Sequence, residues 1–417
     1  MSIEQTQPWT RQLQSLAALP SVRMAVLGIL CGGVATAATF PYLPILAIDE
    51  LGLSPTLFST VIFVEGLLAV GVALTVGYFS DRMSSRKPLL VIGTIAGVVG
   101  YVLLPIFPAP ATVVATMLIF LPLSATVIGQ NYALLRVQLL ALPAPDRAVP
   151  NAIARSCIAL AWIAVPPITA VLLWSGLPLT TVFLGAAAVC ALYLAVLAPA
   201  RFDAAAPADG SPRPRHGFPL ALLLGPSLLG RLFAVGLLDA VLKLHGLFFG
   251  LMLLNDLGGT LAHVGIAQGV MAAFEIPFML FWAAVARRTG LQTVLMAAAA
   301  VEVIYMALLS QVGSVSVVFM LLAIHSLGAS AIMSISISYV QDLLAEHPGL
   351  GSSLISVTGL IGTTVAAGAF AVAAALWSYS GAALLAAGLA MLGGWAIWLC
   401  RKDKPPPTPE GPETAAP

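Results

Sequence analysis

Charge is what this sequence has least of. Its 18 basic and 17 acidic residues make up only 8% of 417 positions, against about 25% in soluble domains. So few charges cannot cover a soluble globule that is 60% hydrophobic, so the solvent for most of its surface is the lipid bilayer. The net charge of +1 argues against a nucleic-acid partner, whose phosphates select basic surfaces. Cysteine is sparse too: Cys31, Cys157, Cys190 and Cys400 lie in or beside apolar runs without metal-ligand spacing, and read as packing residues. No Gly-x-x-x-x-Gly-Lys-Ser/Thr loop cradles a nucleotide, so ATP is not the indicated energy source. No nucleophile–base constellation appears either, so no enzyme is indicated, and no cofactor or metal is expected. The polar N-terminal stretch lacks the pattern of a cleavable signal, which leaves insertion to the first span.

What is present is a succession of long apolar runs. A helix needs about 20 residues to cross the hydrocarbon core. Twelve runs of that kind lie near 24–48, 56–79, 89–107, 111–134, 152–174, 178–199, 228–253, 263–286, 291–310, 315–340, 351–377 and 380–400. None alternates polar and apolar residues as the roughly ten-residue strands of a membrane barrel do. The predicted fold is an all-α membrane protein with twelve transmembrane helices in two six-helix bundles. The only long internal polar stretch, "RFDAAAPADGSPRPRHGF", divides the spans six and six. The organisation expected is an N-terminal bundle over 1–200, a cytoplasmic linker over 201–218, a C-terminal bundle over 219–400 and a disordered, proline-rich tail over 401–417.

Arg82, Arg86, Lys87, Arg136, Arg147, Arg287 and Arg288 fall in loops on the side of the N-terminus, whereas the opposite loops carry only Asp49, Glu50 and Asp256. By the positive-inside rule both termini are cytoplasmic. The halves also echo one another. "GYFSDRMSSRK", Gly77 to Lys87, closes the second span, and "AAVARRTG", Ala283 to Gly290, closes the second span of the second half. Parallel six-helix repeats are one way in which transporters are built.

The first of these turns has its own physics. Gly77 lets two helices approach, the basic residues hold the loop at an anionic surface, and Asp81 suits a neighbouring helix N-terminus. Gly77-x-x-x-Asp81-Arg82, followed by Arg86 and Lys87, resembles the loop signature of the major facilitator superfamily, G-x-x-x-D-R/K-x-G-R/K-R/K. Ser84 stands for its second glycine and Ser85 for the first of its basic pair. The resemblance implies that Gly77, Asp81, Arg82 and Arg86 form a conformational latch against the helix that begins near Gly351, holding the outward-facing state.

Four further stretches narrow the likeness: "RSCIALAWIAVPP" from Arg155, "AAFEIPFML" from Ala272, "SYVQDL" from Ser338 and "GQNYALLR" from Gly129. In this order they look like the bacterial sugar efflux transporter family. That resemblance implies a monomeric secondary transporter of the bacterial inner membrane. It would export sugars or sugar-like small solutes by alternating access, with protons as the exchanged ion. Multidrug/proton antiport is the runner-up within the superfamily. The fourth span carries no charge until its end and Pro166-Pro167 lacks the glycines of the antiporter pattern, which lowers that alternative. A non-transporting membrane sensor would need a soluble output domain, and the sequence shows none.

An ionisable group in mid-membrane costs about 2.5–3.5 kcal/mol on insertion scales, so each is a candidate site. Asp239 and Lys243 stand four apart on one helical face, either as a cavity-facing pair that takes a proton or a hydroxyl, or as a self-neutralised pair. Glu275, two residues before Pro277, and Glu65, beside Gly66, are the other proton-coupling candidates. Glu302 and His325 read as packing residues. Gln130 and Asn131 offer amides to a hydroxyl-rich ligand, Trp162 offers a stacking face, and Arg155 either snorkels or, as the resemblance implies, binds or gates. The charge asymmetry makes a direct prediction. In intact cells an impermeant thiol reagent should label a cysteine placed at Asp256 but not one placed at Arg213, and the reverse pattern would invert the topology.

Overall fold

The computed structural model describes residues 19–80, 82–83, 85–140, 148–200, 225–343, 348–376 and 379–400. The linker over 201–218, the tail over 401–417 and Asp81 lie outside the described residues. Among those described, twelve helices are long and apolar enough to cross a membrane. They are α1 (Pro20–Glu50), α2 (Pro55–Ser80), α3 (Lys87–Ile106), α4 (Pro110–Val137), α5 (Ala148–Trp174) and α6 (Thr180–Leu197) in the first half. The second half holds α7 (Pro226–Asp256), α8 (Leu261–Thr289), α9 (Leu291–Leu309), α10 (Val315–Asp342), α11 (Pro348–Leu376) and α12 (Tyr379–Cys400). Helix is forced on these segments, because lipid offers backbone groups no hydrogen bonds and each span must satisfy its own.

Each half is a six-helix bundle. In the first, α1 packs on α4 and α6, and α3 packs on the same two helices. In the second, α7 packs on α11 and α12, and α9 packs on α10 and α12. The bundles meet along two helix pairs, α5 with α8 and α2 with α11. Missing side chains permit the first contact. A Cβ at Gly265 would strike the Pro166 carbonyl and the Tyr42 hydroxyl, and one at Gly269 would strike the Pro167 ring. Small residues at such crossings let backbones approach in a medium without a hydrophobic drive between helices.

The two ends of the molecule differ. At the end away from the arginine-rich loops, α1 and α7 both finish in a π-turn, Leu46–Glu50 and Met252–Asp256. Each is followed by a glycine with positive φ, Gly52 at 69° and Gly258 at 64°. The Asn255 amide donates to both carboxylate oxygens of Asp49 at 3.1 and 3.3 Å, joining equivalent positions of the two halves 206 residues apart. Gly77 and Ala283 have the same separation. Nearby the Tyr42 hydroxyl donates to the Leu261 carbonyl at 3.3 Å. At the arginine-rich end, Gly71 and Gly77 have nothing within 4 Å of where a Cβ would stand. The bundles are therefore tied together at the end away from the arginine-rich loops.

Pro41 shapes α1: without its N–H, the chain passes through a 3₁₀ turn at Phe40–Tyr42 before helix resumes. Lys87 does more than face the membrane surface. Its Nζ donates to the carbonyls of Ala198 and Ala200 at 2.6 and 2.8 Å, tying the start of α3 to the end of α6. Arg231 is buried, and donates to the Cys400 carbonyl at 3.4 Å. For the α5–α8 crossing, Gly269→Ala is expected to destabilise the detergent-purified protein by about 1–3 kcal/mol through overpacking. A thermal midpoint equal to that of the parent protein would show that the helices separate without cost.

Candidate transport cavity

Beside the 3₁₀ turn of α1, at mid-length of the spanning helices, lies a cavity of about 350 Å³, within the ~300–1,000 Å³ range of small-molecule sites. Most of its wall belongs to the first bundle, from α1, α2, α3, α4 and α6, while α7 and α11 close it from the second. The lining is mainly apolar, with hydroxyls from Thr36, Thr39, Ser124 and Tyr193 among its polar groups. Two charged side chains reach it from opposite bundles, Glu65 of α2 and Lys243 of α7.

Lys243 is held from several directions. Its Nζ lies 2.9 Å from Asp239 Oδ2 and donates to the Gly359 carbonyl at 2.6 Å and to the Thr363 hydroxyl at 2.8 Å. Side-chain exposures of 34% for Lys243 and 33% for Asp239 leave the pair partly open. Glycines make room for it: a Cβ at Gly362 would collide with the Asp239 carboxylate, and one at Gly66 would stand 2.8 Å from Thr363 Cγ2. Gly66 thus brings α2 onto α11, and this places the neighbouring Glu65 at the cavity.

The other expected site residues divide. Trp162 does not line the cavity but stands edge-to-face, 5.8 Å between ring centroids, against Phe40, which does. Gln130 and Asn131 do not line it, because their amides are already engaged. Gln130 Oε1 accepts from the Ser80 hydroxyl at 2.8 Å and from Arg86 at 3.1 Å, and Arg86 also donates to Ser80. Asn131, wholly buried, donates to the Val127 carbonyl and accepts from the Tyr193 hydroxyl, both at 2.9 Å. A Cβ at Gly28 would strike its amide, so Asn131 is a packing node of α1, α4 and α6. Arg155 is exposed and outside the cavity lining, and Glu275 is half-buried on α8, also outside it. Arg82 lies over the Tyr78 ring, 3.4 Å from its centroid.

The family model for the Major Facilitator Superfamily matches residues 25–252 and 232–417. The chain belongs to this superfamily. Within it the chain is similar to bacterial sugar efflux transporters. It is 27% identical to the "Putative sugar efflux transporter" of Deinococcus radiodurans, over 93% of this chain and 100% of that protein. It is 24% identical to sugar efflux transporter A of Dickeya chrysanthemi, over 94% and 98%, and 24% identical to sugar efflux transporter C of Escherichia coli, over 86% and 90%. Among solved structures, the nucleoside transporter NupG superposes with a TM-score of 0.74 at 15% identity, covering 92% of this chain and all of that one. A bacterial homolog of the lysosomal transporter Spinster, in an inward-facing and occupied conformation, gives 0.68 at 12%, covering 93% and 97%. These likenesses establish the fold. A member of this superfamily with twelve such helices is a secondary transporter, a multi-pass protein of the bacterial inner membrane that takes a small-molecule solute.

Lys243 and Asp239 make a sharp prediction. Lys243→Met leaves an uncompensated acid and strips a donor from Thr363 and Gly359. Because the pair is partly open to the cavity, the loss is about 1–3 kcal/mol, less than for a fully enclosed pair. Asp239→Leu together with Lys243→Met should be milder than Lys243→Met alone in thermal unfolding. Equal or greater loss in the double variant would show that the carboxylate stabilises the fold by other contacts.

Proposed function

We propose that the protein exports sugars or sugar-like small solutes by alternating access, in exchange for protons. The observation that carries this reading is the mid-membrane cavity on which Glu65 and Lys243 converge from opposite bundles amid hydroxyl groups. A sugar presents many hydroxyls and one or two apolar faces. A carboxylate accepts from those hydroxyls, an ammonium donates to them, and Phe40, backed by Trp162, offers an aromatic face. Relatives named as sugar efflux transporters support the same solute class.

The charge asymmetry of the loops assigns the arginine-rich end to the cytoplasm. On that reading the contacts Asp49–Asn255 and Tyr42–Leu261 close the bundles toward the outside. Export then requires those contacts to break while the cytoplasmic halves close. The open flank of Gly77 is where α11 would arrive, and Gly77, Asp81, Arg82 and Arg86 are the latch that holds the closed form. Because one chain completes the cavity, the monomer is the transporting unit.

Two native thiols make the test direct, since Cys31 and Cys190 both line the cavity. With Cys157 and Cys400 replaced by serine, everted membrane vesicles expose the cytoplasmic side to an impermeant maleimide. Glucose, sucrose or lactose should slow the labelling of Cys31 and Cys190, and the protecting sugar should enter vesicles energised by a pH gradient. Protection and uptake confined to amphiphilic cations would replace sugar export by drug antiport.

A further inference from the structure

The cavity leaves several buried ionisable groups unused. In the second bundle Glu302 and Tyr305 of α9 are 0% exposed, His245 of α7 is 3% exposed and His325 of α10 is 5% exposed. They form one chain of contacts. Glu302 Oε2 lies 3.2 Å from His325 Nδ1. The His325 ring lies against the His245 ring, with centroids 4.1 Å apart and planes inclined by 35°. His245 Nε2 shares a hydrogen bond of 3.0 Å with the Tyr305 hydroxyl. The other carboxylate oxygen, Glu302 Oε1, is buried with no hydrogen-bond partner. It sits over Gly328, where a Cβ would crowd it.

The surroundings hold one more ionisable group on a packed element. Glu275 of α8 interacts electrostatically with both His325 and Glu302. On the remaining side α12 packs along α9, with Gly394 against Ala299, and carries no acid, base or histidine between Tyr379 and Cys400. A cluster built for packing alone would pair each polar atom, since a buried oxygen without a partner is costly. An unpaired carboxylate oxygen beside an imidazole is instead an acceptor for a proton.

We propose that Glu302 and His325, backed by His245 and Tyr305 and reached past Glu275, bind the proton that the transporter exchanges for its solute. The assignment rests on the exchange reading given above. With one proton the pair is neutral overall, as acid and imidazole or as carboxylate and imidazolium. Without it the pair leaves a single negative charge in the interior of the bundle. Tyr305 remains a neutral phenol hydrogen-bonded to His245 throughout. The route to the solute is short. His245 and Lys243 are two positions apart on α7, about 200° around the helix, so one faces the cluster and the other the cavity. A displacement of α7 that answers the change of charge on the Glu302–His325 pair carries Lys243 with it. The first bundle thus holds most of the solute cavity, and the second holds the proton.

The test begins without any sugar. The purified full-length protein is titrated with acid and followed by infrared difference spectroscopy. A carboxyl band should appear together with an imidazole change, vanish in Glu302→Gln, shift in His325→Asn and persist in Glu65→Gln. Isotope-labelled histidine, of which the chain has only 5, reads the imidazoles in the unsubstituted protein and serves if Glu302→Gln does not fold. Survival of that same band in Glu302→Gln, or histidines that titrate without it, would overturn the assignment. In proteoliposomes carrying labelled lactose, glucose or sucrose, Glu302→Gln should lose flux driven by a pH gradient about tenfold while solute exchange persists. If the parent protein ignores the gradient, the exchange reading itself fails. If the parent responds and Glu302→Gln still does, only the placement of the proton fails.

Discussion

A single ammonium group in hydrocarbon organises much of this molecule. Lys243 must be neutralised and must spend its donors, and the partners it finds outside α7 fix a second helix. Asp239 lies one turn back on α7, while the Gly359 carbonyl and Thr363 hydroxyl belong to α11. Those contacts require α11 to lie close, and Gly362 provides the space for Asp239. Thr363 in turn rests on Gly66 of α2, so the demand of one charge propagates across the bundle interface and brings Glu65 to the same cavity. The arrangement agrees with the general cost of polar groups in lipid: such groups are retained where they meet partners.

Glycine and proline carry the complementary task. Gly265 and Gly269 allow α8 to meet Pro166 and Pro167 of α5. Pro41 breaks the regular turn of α1 so that Phe40 projects into the cavity. In a helix surrounded by lipid, apolar side chains gain little from facing a protein neighbour rather than a lipid tail. Where the helices touch is therefore decided by where side chains are absent.

This explains what could be read in advance. The spans were legible because twenty apolar residues have few other fates, and observed helix ends fall within about four residues of the expected ones. The ion pair Asp239–Lys243 was legible from spacing on one helix. Gln130 and Asn131 looked like ligands for a solute, yet their partners Ser80, Arg86 and Tyr193 come from other helices, and no spacing along the chain reveals them. Glu302 was read as a packing residue, because nothing along the chain shows what its carboxylate meets. It turned out to point inward, to His325 on the next helix. His245 carried no signal of its own. Its meaning depends on the two rings it meets, Tyr305 and His325, both more than fifty positions along the chain.

The bond between Asp49 and Asn255 has a consequence for how such a chain arises. These residues occupy equivalent positions of the two repeats and meet where the repeats face each other. In a dimer of two identical six-helix chains, symmetry would force the same residue onto both sides of that meeting point. Two aspartates there would repel, and two asparagines would give up the charge-assisted bond. Joining the copies into one gene removes the constraint, because each side then mutates alone. An acid opposite an amide is a contact that two identical chains could not make at that point.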